Sequence, residues 1–379
     1  MPSVGRKFLV AGRGGLNITN TDPALPSKYS GPAADFWDSL LEEFSPADLR
    51  AWVEGLGIPT FSVSSGRVYP REMKSAPLLR RWVMRLRGLG VEFFLRHRWS
   101  SLEANPFGGW RVGASGPDGP VSFDADAVVL ALGGGSWPVT GSDGAWQSTL
   151  ADLQIAQSPL VPANCGWETG WPEEVLASAC GQPLKNIRAR AGGHSAVGEL
   201  LLTRYGLEGG AIYSLTPALR DSPLLSIDFK PSLSPEALLA RLPLARSFHL
   251  HEAFARCHIQ PVAQVLMRSR RAEWTSREAF VSGVKEFSIR LSGPRPLAEA
   301  ISSAGGVCWD ELDDGLMLRR LPGVYLAGEM IDWEAPTGGY LMQGCFSTGS
   351  RAGRCAAGFA AARSQGRLGA NGLAGAAAT

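Results

Sequence analysis

Two short apolar runs that end in glycine constrain the fold of this chain most. Residues 127–132 are continuously apolar and lead into three consecutive glycines at 133–135. Residues 323–329 form a second, shorter run that ends in Gly328 and Glu329. Uninterrupted apolar strands are typical of a parallel sheet that is covered on both faces. The sequence therefore predicts an α/β fold in which residues 127–132 form a parallel strand buried on both faces.

The residues after the second run predict a ligand site. A carboxylate that follows a parallel strand lies at the carboxyl edge of the sheet, where open α/β folds bind ligands, so Glu329 can accept hydrogen bonds from sugar or ribityl hydroxyls. The turn at Gly338 and Gly339 then opens a predicted helix over 341–361, whose first N–H groups favour an electron-rich acceptor such as the pyrimidine edge of a flavin. Each feature alone also fits a strand, turn and helix that pack through small residues and bind nothing.

A glycine-rich loop near the N-terminus is predicted to be a turn or ligand loop. Gly12, Arg13, Gly14 and Gly15 follow an apolar run and look at first like a Rossmann phosphate turn. However, Asn17 holds the place of the third glycine, and the poor helix formers that follow do not continue into a helix. No dinucleotide fingerprint can be completed there.

The remaining periodicities place the other elements. Residues 33–55 are predicted to be two helices, because Ser45 and Pro46 form a helix start inside the stretch. The other expected elements are strands over 61–69 and 91–98, a helix over 78–89, and a hairpin that joins 110–112 to 121–123.

A change in the sequence pattern at about residue 155 predicts an inserted domain. Prolines and short alternating runs recur from about residue 155, and helical patterns follow over 234–242, 249–257, 259–267 and 276–284. The predicted domains are a discontinuous one at 1–155 and 290–362, an inserted β plus helical substrate or cap domain at 156–289, and a disordered tail at 363–379.

Composition narrows the classes of partner. The net charge of +2 gives no strong electrostatic case for nucleic acid, and an arginine-rich stretch (Arg80, Arg81, Arg85 and Arg87) is interpreted as a solvated helix face. The six cysteines form no CxxC pair, and His249 and His251 lack further ligands nearby, so no metal site is predicted. Without a signal-length or membrane-length apolar run, a cytoplasmic protein that binds a small molecule is expected.

Four passages resemble, in order, a family of bacterial flavoproteins labelled NAD(FAD)-utilizing dehydrogenases, BaiN-like or aminoacetone oxidase family FAD-binding enzymes. The resemblance covers residues 3 to about 362, and its four motifs lie at residues 5–20, 131–144, 198–209 and 323–343. It implies an FAD-dependent oxidoreductase with a glutathione-reductase-type Rossmann-like FAD domain. It also implies an inserted, antiparallel β-barrel-like plus helical subdomain, and NADH or NADPH as a plausible electron donor.

The resemblance also implies cofactor contacts. The early loop would lie against the flavin and pyrophosphate, the middle and last strands would line the cofactor, Glu329 and Asp332 would meet ribityl hydroxyls, and the helix start would meet the pyrimidine edge. The residues so implied are Gly12, Arg13, Gly14, Gly15, Asn17, Thr19, Gly133, Gly134, Gly328, Glu329, Asp332, Gly338, Gly339, Tyr340 and Leu341.

Two departures from the family leave alternatives open. Family members begin with a βαβ unit that carries GxGxxG, and this chain starts after it, either because the start codon is placed late, which we favour, or because the chain is a degenerate member. In addition, TRYGLEG at 203–209 replaces the commoner THxGLSGP, and Arg204 and Tyr205 are only weak catalytic candidates. The alternatives to an oxidoreductase of unknown substrate are a truncated flavoprotein without activity and, less favoured, a tRNA-modifying flavoprotein.

Overall fold

The chain divides into two compact units. A computed structural model describes residues 1–11, 14–32, 34–244 and 248–376, apart from the side chains of residue 34 and of 366–376. One unit comprises Met1–Val161 with Ser302–Thr379, and the other comprises Pro162–Ile301. The predicted domain boundaries, after residues 155 and 289, lie earlier in the chain than these.

The described residues form twelve α-helices. They are α1 (Arg6–Ala11), α2 (Ala34–Glu43), α3 (Pro46–Gly55), α4 (Ser75–Gly88), α5 (Trp146–Asp152), α6 (Glu173–Ala179), α7 (Gly210–Asp221), α8 (Pro235–Leu239), α9 (Leu250–Arg256), α10 (Pro261–Arg268), α11 (Arg277–Lys285) and α12 (Tyr340–Ala376).

The same residues form seventeen strands. They are β1 (Thr19–Asn20), β2 (Thr60–Ser62), β3 (Arg67–Pro70), β4 (Arg98–Ala104), β5 (Trp110–Gly116), β6 (Gly119–Ala125), β7 (Val128–Leu130), β8 (Gln157–Ala163), β9 (Trp167–Glu168), β10 (Pro183–Ala191), β11 (His194–Leu202), β12 (Gly206–Glu208), β13 (Leu224–Asp228), β14 (Phe287–Arg290), β15 (Gly293–Pro294), β16 (Ser302–Val307) and β17 (Val324–Leu326).

A pair of parallel strands lies at the centre of the first unit. β7 runs parallel to β17, with Leu130 opposite Leu326, and α12 packs against both strands. The two apolar runs therefore form the strands that the sequence predicts. Their burial differs from the prediction, because Val129 and Leu132 are 39% and 37% exposed. Among the described strands, β7 pairs only with β17, so its other edge is open.

Two predicted strands of the first unit are wrong in extent. Residues 61–69 do not form one strand but fold back as the β2–β3 hairpin, because Gly66 turns the chain with a φ of +78°. Residues 91–98 do not form a strand either; Arg96 lies at a φ of +59°, outside the extended region, and β4 begins only at Arg98. β3 pairs on its other edge with the two-residue strand β1.

The break between the first two long helices is confirmed. Ser45 caps α3 through a reciprocal pair of bonds: its hydroxyl accepts from the Asp48 backbone N–H, and the Asp48 carboxylate accepts from the Ser45 N–H. Pro46 occupies the first turn, where its missing N–H costs nothing. A cap of this kind typically contributes about 1 kcal/mol.

The predicted hairpin is also confirmed and gains a third strand. Val112 of β5 pairs with Phe123 of β6, as expected, and β4 adds to the other edge of β5. Arg111 and Asp124 face each other across the hairpin at 3.1 Å.

The last helix extends further than the sequence indicates. Its predicted end was residue 361, with a disordered tail at 363–379, whereas the structure describes helical backbone as far as Ala376. Residues 377–379 lie outside the described part. A buried polar ridge ties α12 to α2: Gln343 and Ser347 donate to the carbonyl of Phe44, and Arg351 makes a two-pronged ion pair with Glu43.

The second unit is an antiparallel sheet covered by helices. Its seven strands lie in the order β14-β13-β10-β11-β12-β9-β15, and α7 packs against β11. The alternating runs and the four helical patterns of the insertion fall on β10, β11, β13 and α8 to α11, with Ser276 capping α11 as predicted. A buried ion pair joins Asp228 and Lys285 at 2.6 Å.

Two general features of the described residues bear on partners. Among them, no helix combines the length and the apolarity needed to cross a membrane. Within the same ranges, no cluster of three or more His, Cys, Asp or Glu side chains could hold a metal ion.

Candidate cofactor site

Glu329 lies in a small polar cluster at the carboxyl end of β17. The Lys7 ammonium donates to the Glu329 carboxylate at 2.8 Å and to the hydroxyls of Ser136 and Ser142 at 2.8 and 3.1 Å. The Glu329 side chain is only 13% exposed. Three chain segments that are distant in sequence therefore meet at this edge, as the carboxyl ends of parallel strands should.

The glycine run after β7 forms one wall of this cluster. A Cβ atom on Gly134 would lie 1.7 Å from the Ser303 hydroxyl and 3.6 Å from the Cβ of Glu329. The Ser142 hydroxyl donates to the Gly134 carbonyl, and the indole N–H of Trp146 donates to the Gly133 carbonyl. Only glycine fits at residue 134, so the close approach that the sequence predicts is present here.

The N-terminal loop lies against the start of α12. The Asn20 amide donates to the Gly338 carbonyl at 2.9 Å, and the Thr19 hydroxyl donates to the Gln343 side-chain carbonyl at 2.6 Å. Thr19 and Gln343 are both fully buried. The backbone of Ile18 bonds to the β3 strand, which holds the loop from its other side. Residues 14–20 and 338–343 thus form one packed assembly.

Gly339 and Asn17 form the tightest point of this assembly. Gly339 has a φ of +99°, and a Cβ there would lie 2.3 Å from the Thr19 carbonyl oxygen and 2.7 Å from the Asn17 Oδ1. That Oδ1 atom is buried and has no hydrogen-bond partner among the residues that the structure describes. A buried, unpaired oxygen costs about 1–3 kcal/mol, so its persistence indicates a site that a ligand completes.

The start of α12 supplies further unpaired groups. Helix geometry leaves the first N–H groups without an intrahelical acceptor. No hydrogen bond to another described element uses those of Tyr340, Leu341 or Met342. Together with the glycine cradle at 134 and 339 and the orphaned Asn17 oxygen, these donors fit a flat, polar-edged ring system such as the isoalloxazine of FAD.

Asp332 has different hydrogen-bond partners from Glu329. Its carboxylate accepts from the Ser158 hydroxyl at 2.5 Å, and its carbonyl accepts from the Trp309 indole at 2.6 Å. No contact described for these residues joins Asp332 to Glu329, although the sequence analysis assigned both to ribityl hydroxyls.

Tyr340 turns its hydroxyl toward the early loop. It donates to the Asp22 carboxylate at 2.9 Å. Burial, helped by this bond, raises the pKa of Tyr340 to about 12. The backbone N–H of Ala24 is the main cause that lowers the pKa of Asp22. The pair therefore consists of a neutral phenol and a charged carboxylate at neutral pH.

The glycines before Asn17 are placed only in part. Gly12 and Arg13 lie outside the described residues. Gly14 is exposed with open space around it, and Gly15 lies at a φ of +107° against the Met73 side chain. Their predicted role as cofactor contacts stays a prediction.

Arg204 and Tyr205, the two weak catalytic candidates, lie in the second unit. The Tyr205 hydroxyl donates to Glu208 in a short hydrogen bond, and the Arg295 guanidinium stacks 4.3 Å from the centre of the Tyr205 ring. Burial and the Glu208 carboxylate raise the Tyr205 pKa far above its ordinary range. Arg204 is exposed.

Several residues of the site were not predicted. These residues form hydrogen bonds that orient the predicted site residues, and they are Lys7, Asp22, Ser303 and Gln343. Lys7 and Gln343 lie in the passages at 5–20 and 323–343 that carry the resemblance, so the sequence pointed to these two of the four. The others make contacts over more than 160 residues of sequence, or by a side chain whose type is common anywhere.

The fold and the family match define an FAD-dependent oxidoreductase with a Rossmann-like sheet. The family model described as the HI0933-like protein Rossmann domain matches residues 1–355, so the chain belongs to this HI0933-like family.

Two curated relatives span nearly the whole chain. One is the 3-dehydro-bile acid delta(4,6)-reductase of Clostridium scindens, 26% identical over 94% of this chain and 90% of the relative. The other is the ribosomal RNA dihydrouridine synthase of Escherichia coli, 24% identical over 95% of this chain and 90% of the relative. The second relative leaves the expected absence of a nucleic-acid partner unconfirmed.

Two solved structures resemble the fold more distantly. An E. coli quinol fumarate reductase matches with a TM-score of 0.41 and 14% identity, over 94% of this chain and 60% of that chain. The Sdh1 protein of Mycobacterium smegmatis matches with a TM-score of 0.40 and 17% identity, over 94% and 59%. The chain thus spans about three fifths of the length of both.

Proposed function

We propose that this protein uses FAD to reduce a carbon–carbon double bond that is conjugated to a carbonyl group, with NADH or NADPH as the electron donor. Bound FAD would supply the hydride carrier. The protein would hold the ring, orient it and exclude water. The proposal refines the established class, an FAD-dependent oxidoreductase, by naming a bond type and a donor.

The observation that carries the FAD part of the proposal is the junction of Asn17 and Gly339. An acceptor oxygen lies beside a helix start with N–H donors, and neither has a hydrogen-bond partner in another described element. A flavin pyrimidine edge offers both complements, an N–H donor and carbonyl acceptors that gain negative charge on reduction. Positive charge density at the start of α12 would therefore stabilise the reduced ring more than the oxidised ring.

The bond type is supported by what the two curated relatives have in common. Their names describe a reductase of a 3-dehydro bile acid and a synthase of dihydrouridine. Both products arise when a double bond next to a carbonyl group is reduced. A steroid and a ribosomal RNA share little else. We therefore assign to this protein's substrate the activated double bond, and not a particular size.

The test begins with the purified protein and FAD. The protein should retain a visible flavin band after removal of free cofactor, and anaerobic NADH or NADPH should bleach it. Conjugated enones or uridine-containing RNA should then restore the band under anaerobic conditions, with a product heavier by two hydrogens. An isolated alkene of the same size serves as the control and should leave the flavin reduced.

Two outcomes would contradict the proposal separately. Protein that fails to gain flavin on reconstitution contradicts the cofactor part for this chain and favours the truncated, inactive alternative. Protein that binds FAD and is reduced, but that transfers electrons only to oxygen or to amine-derived acceptors, contradicts the bond type alone.

A further inference from the structure

Positive charge is concentrated in one segment of the first unit. Residues 71–98 contain eight Lys and Arg and only two Glu, a net charge of +6 in a chain whose total is +2. The rest of the chain therefore carries a net −4. The small total, taken alone, hides this asymmetry, and a local excess of this size produces a potential that attracts anions.

The centre of the segment is the outer face of α4. Arg80, Arg81, Arg85 and Arg87 are all exposed on this helix, and α4 contains no acidic residue. None of the four forms an ion pair with any residue that the structure describes. The opposite face is anchored by buried Leu78 and by half-buried residues. Arg87 lies over the Phe93 ring at 5.9 Å, and the charges of all four arginines are available on the outer face of the helix.

Exposed apolar side chains lie on α4 and in the residues that follow it. Met84 lies among the four arginines and is 63% exposed, and Leu89 and Phe94 follow at 71% and 53%. Flat bases can pack on such side chains while phosphates meet the guanidinium groups.

This surface adjoins the cofactor site. The backbone N–H of Leu16 donates to the Met73 carbonyl, two residues before α4 begins at Ser75. The side chain of Met73 also lies against Gly15 of the same loop. A strand held on α4 would consequently lie next to the loop that carries Asn17.

We propose that the exposed face of α4, defined as Arg80, Arg81, Arg85 and Arg87, binds the phosphate backbone of an RNA strand. α4 is 14 residues and so about 21 Å long, enough to reach several consecutive phosphates. Arginine is suited to phosphate because its planar guanidinium donates two parallel hydrogen bonds. Binding is measured without turnover, so this inference can fail or hold independently of the proposed reduction.

RNA fits the surface better than a membrane does. A helix that lies on a bilayer buries a broad apolar face in the lipid. On α4 the larger apolar residues other than Met84 are buried or half-buried, and the outer face is mainly charged. Arginines with single apolar side chains between them match an alternation of phosphates and bases instead.

The experiment compares two charge-matched double variants of the full chain loaded with FAD. Arg80→Glu/Arg85→Glu changes the proposed surface, and Arg271→Glu/Arg319→Glu changes two exposed arginines elsewhere that form no described ion pair. Affinity for a labelled single-stranded, uridine-containing RNA is measured by fluorescence anisotropy over a range of salt. Removing two phosphate contacts should flatten the plot of log K against log salt by about 1.4 and weaken binding at least ~10-fold.

The control variant should keep the affinity and salt slope of the unmodified protein. Equal losses in both variants would overturn the proposal, because net charge and not the α4 face would then explain binding. Failure of the unmodified protein to bind RNA, with or without binding to phosphatidylserine vesicles, would overturn it as well. If the glutamate variant does not fold, as judged by circular dichroism, Arg80→Gln/Arg85→Gln takes its place with an expected loss of the same sign.

Discussion

Lys7 and Glu329 lie 322 residues apart in the sequence, yet their charged atoms meet at 2.8 Å. The pair places a helix at the N-terminus of the chain over the carboxyl end of β17. Its two side chains are 29% and 13% exposed, so the ion pair is mostly withdrawn from water. It therefore links the position of α1 to the charge at the candidate cofactor site.

Replacement of this lysine should cost stability. Lys7→Met leaves the Glu329 carboxylate without its cation, and we expect the free energy of unfolding to fall by about 1–3 kcal/mol in urea titrations. Arg98→Met is the control, because its pair with Asp143 is exposed on the arginine side and should contribute less than about 1 kcal/mol. Equal losses of unfolding free energy in the two variants would show that the Lys7–Glu329 pair contributes no more to stability than an exposed pair.

A methyl group at Gly339 should disrupt the site. Gly339→Ala combines a φ of +99° with a contact of 2.3 Å to the Thr19 carbonyl, so we expect at least ~2 kcal/mol of destabilisation and weaker FAD retention. Gly353→Ala is the matched control on the same helix, where the space is open and alanine should stabilise by up to about 1 kcal/mol. Thermal melts with and without FAD measure both effects. A Gly339→Ala protein with unchanged stability and unchanged FAD retention would refute the claim that Gly339 has to be glycine for the site to form.

Asn17 should affect FAD affinity and leave the stability of the free protein unchanged. Its Oδ1 has no partner to lose, so Asn17→Ala should melt at an unchanged or slightly higher temperature without cofactor. The same change should raise the FAD dissociation constant about 10-fold, measured by quenching of flavin fluorescence.

Asn105→Ala should behave in the opposite way. Its side chain accepts from the Phe107 backbone, so the loss should lower stability by about 0.5–1.5 kcal/mol and leave the FAD dissociation constant unchanged. An Asn17 variant that loses stability but keeps its affinity for FAD would contradict the assignment of Asn17 to the cofactor.

The Tyr340–Asp22 pair predicts a pH dependence. Tyr340 has a pKa of about 12 in the folded protein, above the value of about 10 for an unfolded tyrosine. Its contribution to stability should therefore be complete below pH ~10 and should disappear as the pH rises toward 12. Ultraviolet titration should show one phenolate transition that Tyr340→Phe removes.

A second variant separates the two causes of this shift. Asp22→Asn removes the negative acceptor but not the burial, which is the larger cause, so the transition should move down and still stay above pH ~10. Tyr325→Phe is the control and should remove a transition that Asp22→Asn does not move. An unmoved Tyr340 transition in Asp22→Asn would refute the pairing.

Local chemistry explains why some elements could be predicted from sequence. Ser45 and Pro46 define a helix start by themselves, and the start of α3 was placed correctly. The insertion was recognised because alternation and helical periodicity are local, and Ser276 caps α11 as expected. Residues 61–69 were predicted wrongly because the turn at Gly66 depends on a backbone conformation that a short apolar run does not reveal.

The sequence by itself determined the two apolar runs that form β7 and β17, the glycines at 134 and 339 and the acid at 329, because each follows from residue type and spacing within one segment. Only the tertiary structure decided that β7 pairs with β17, that Lys7 faces Glu329, that Asp332 turns to Ser158, and that four arginines of α4 form no ion pair with a described residue. These are contacts or absences of contact between distant segments. These contacts depend on the direction of each side chain and on where opposite charges lie in space. Neither property can be predicted from the order of residues along the chain.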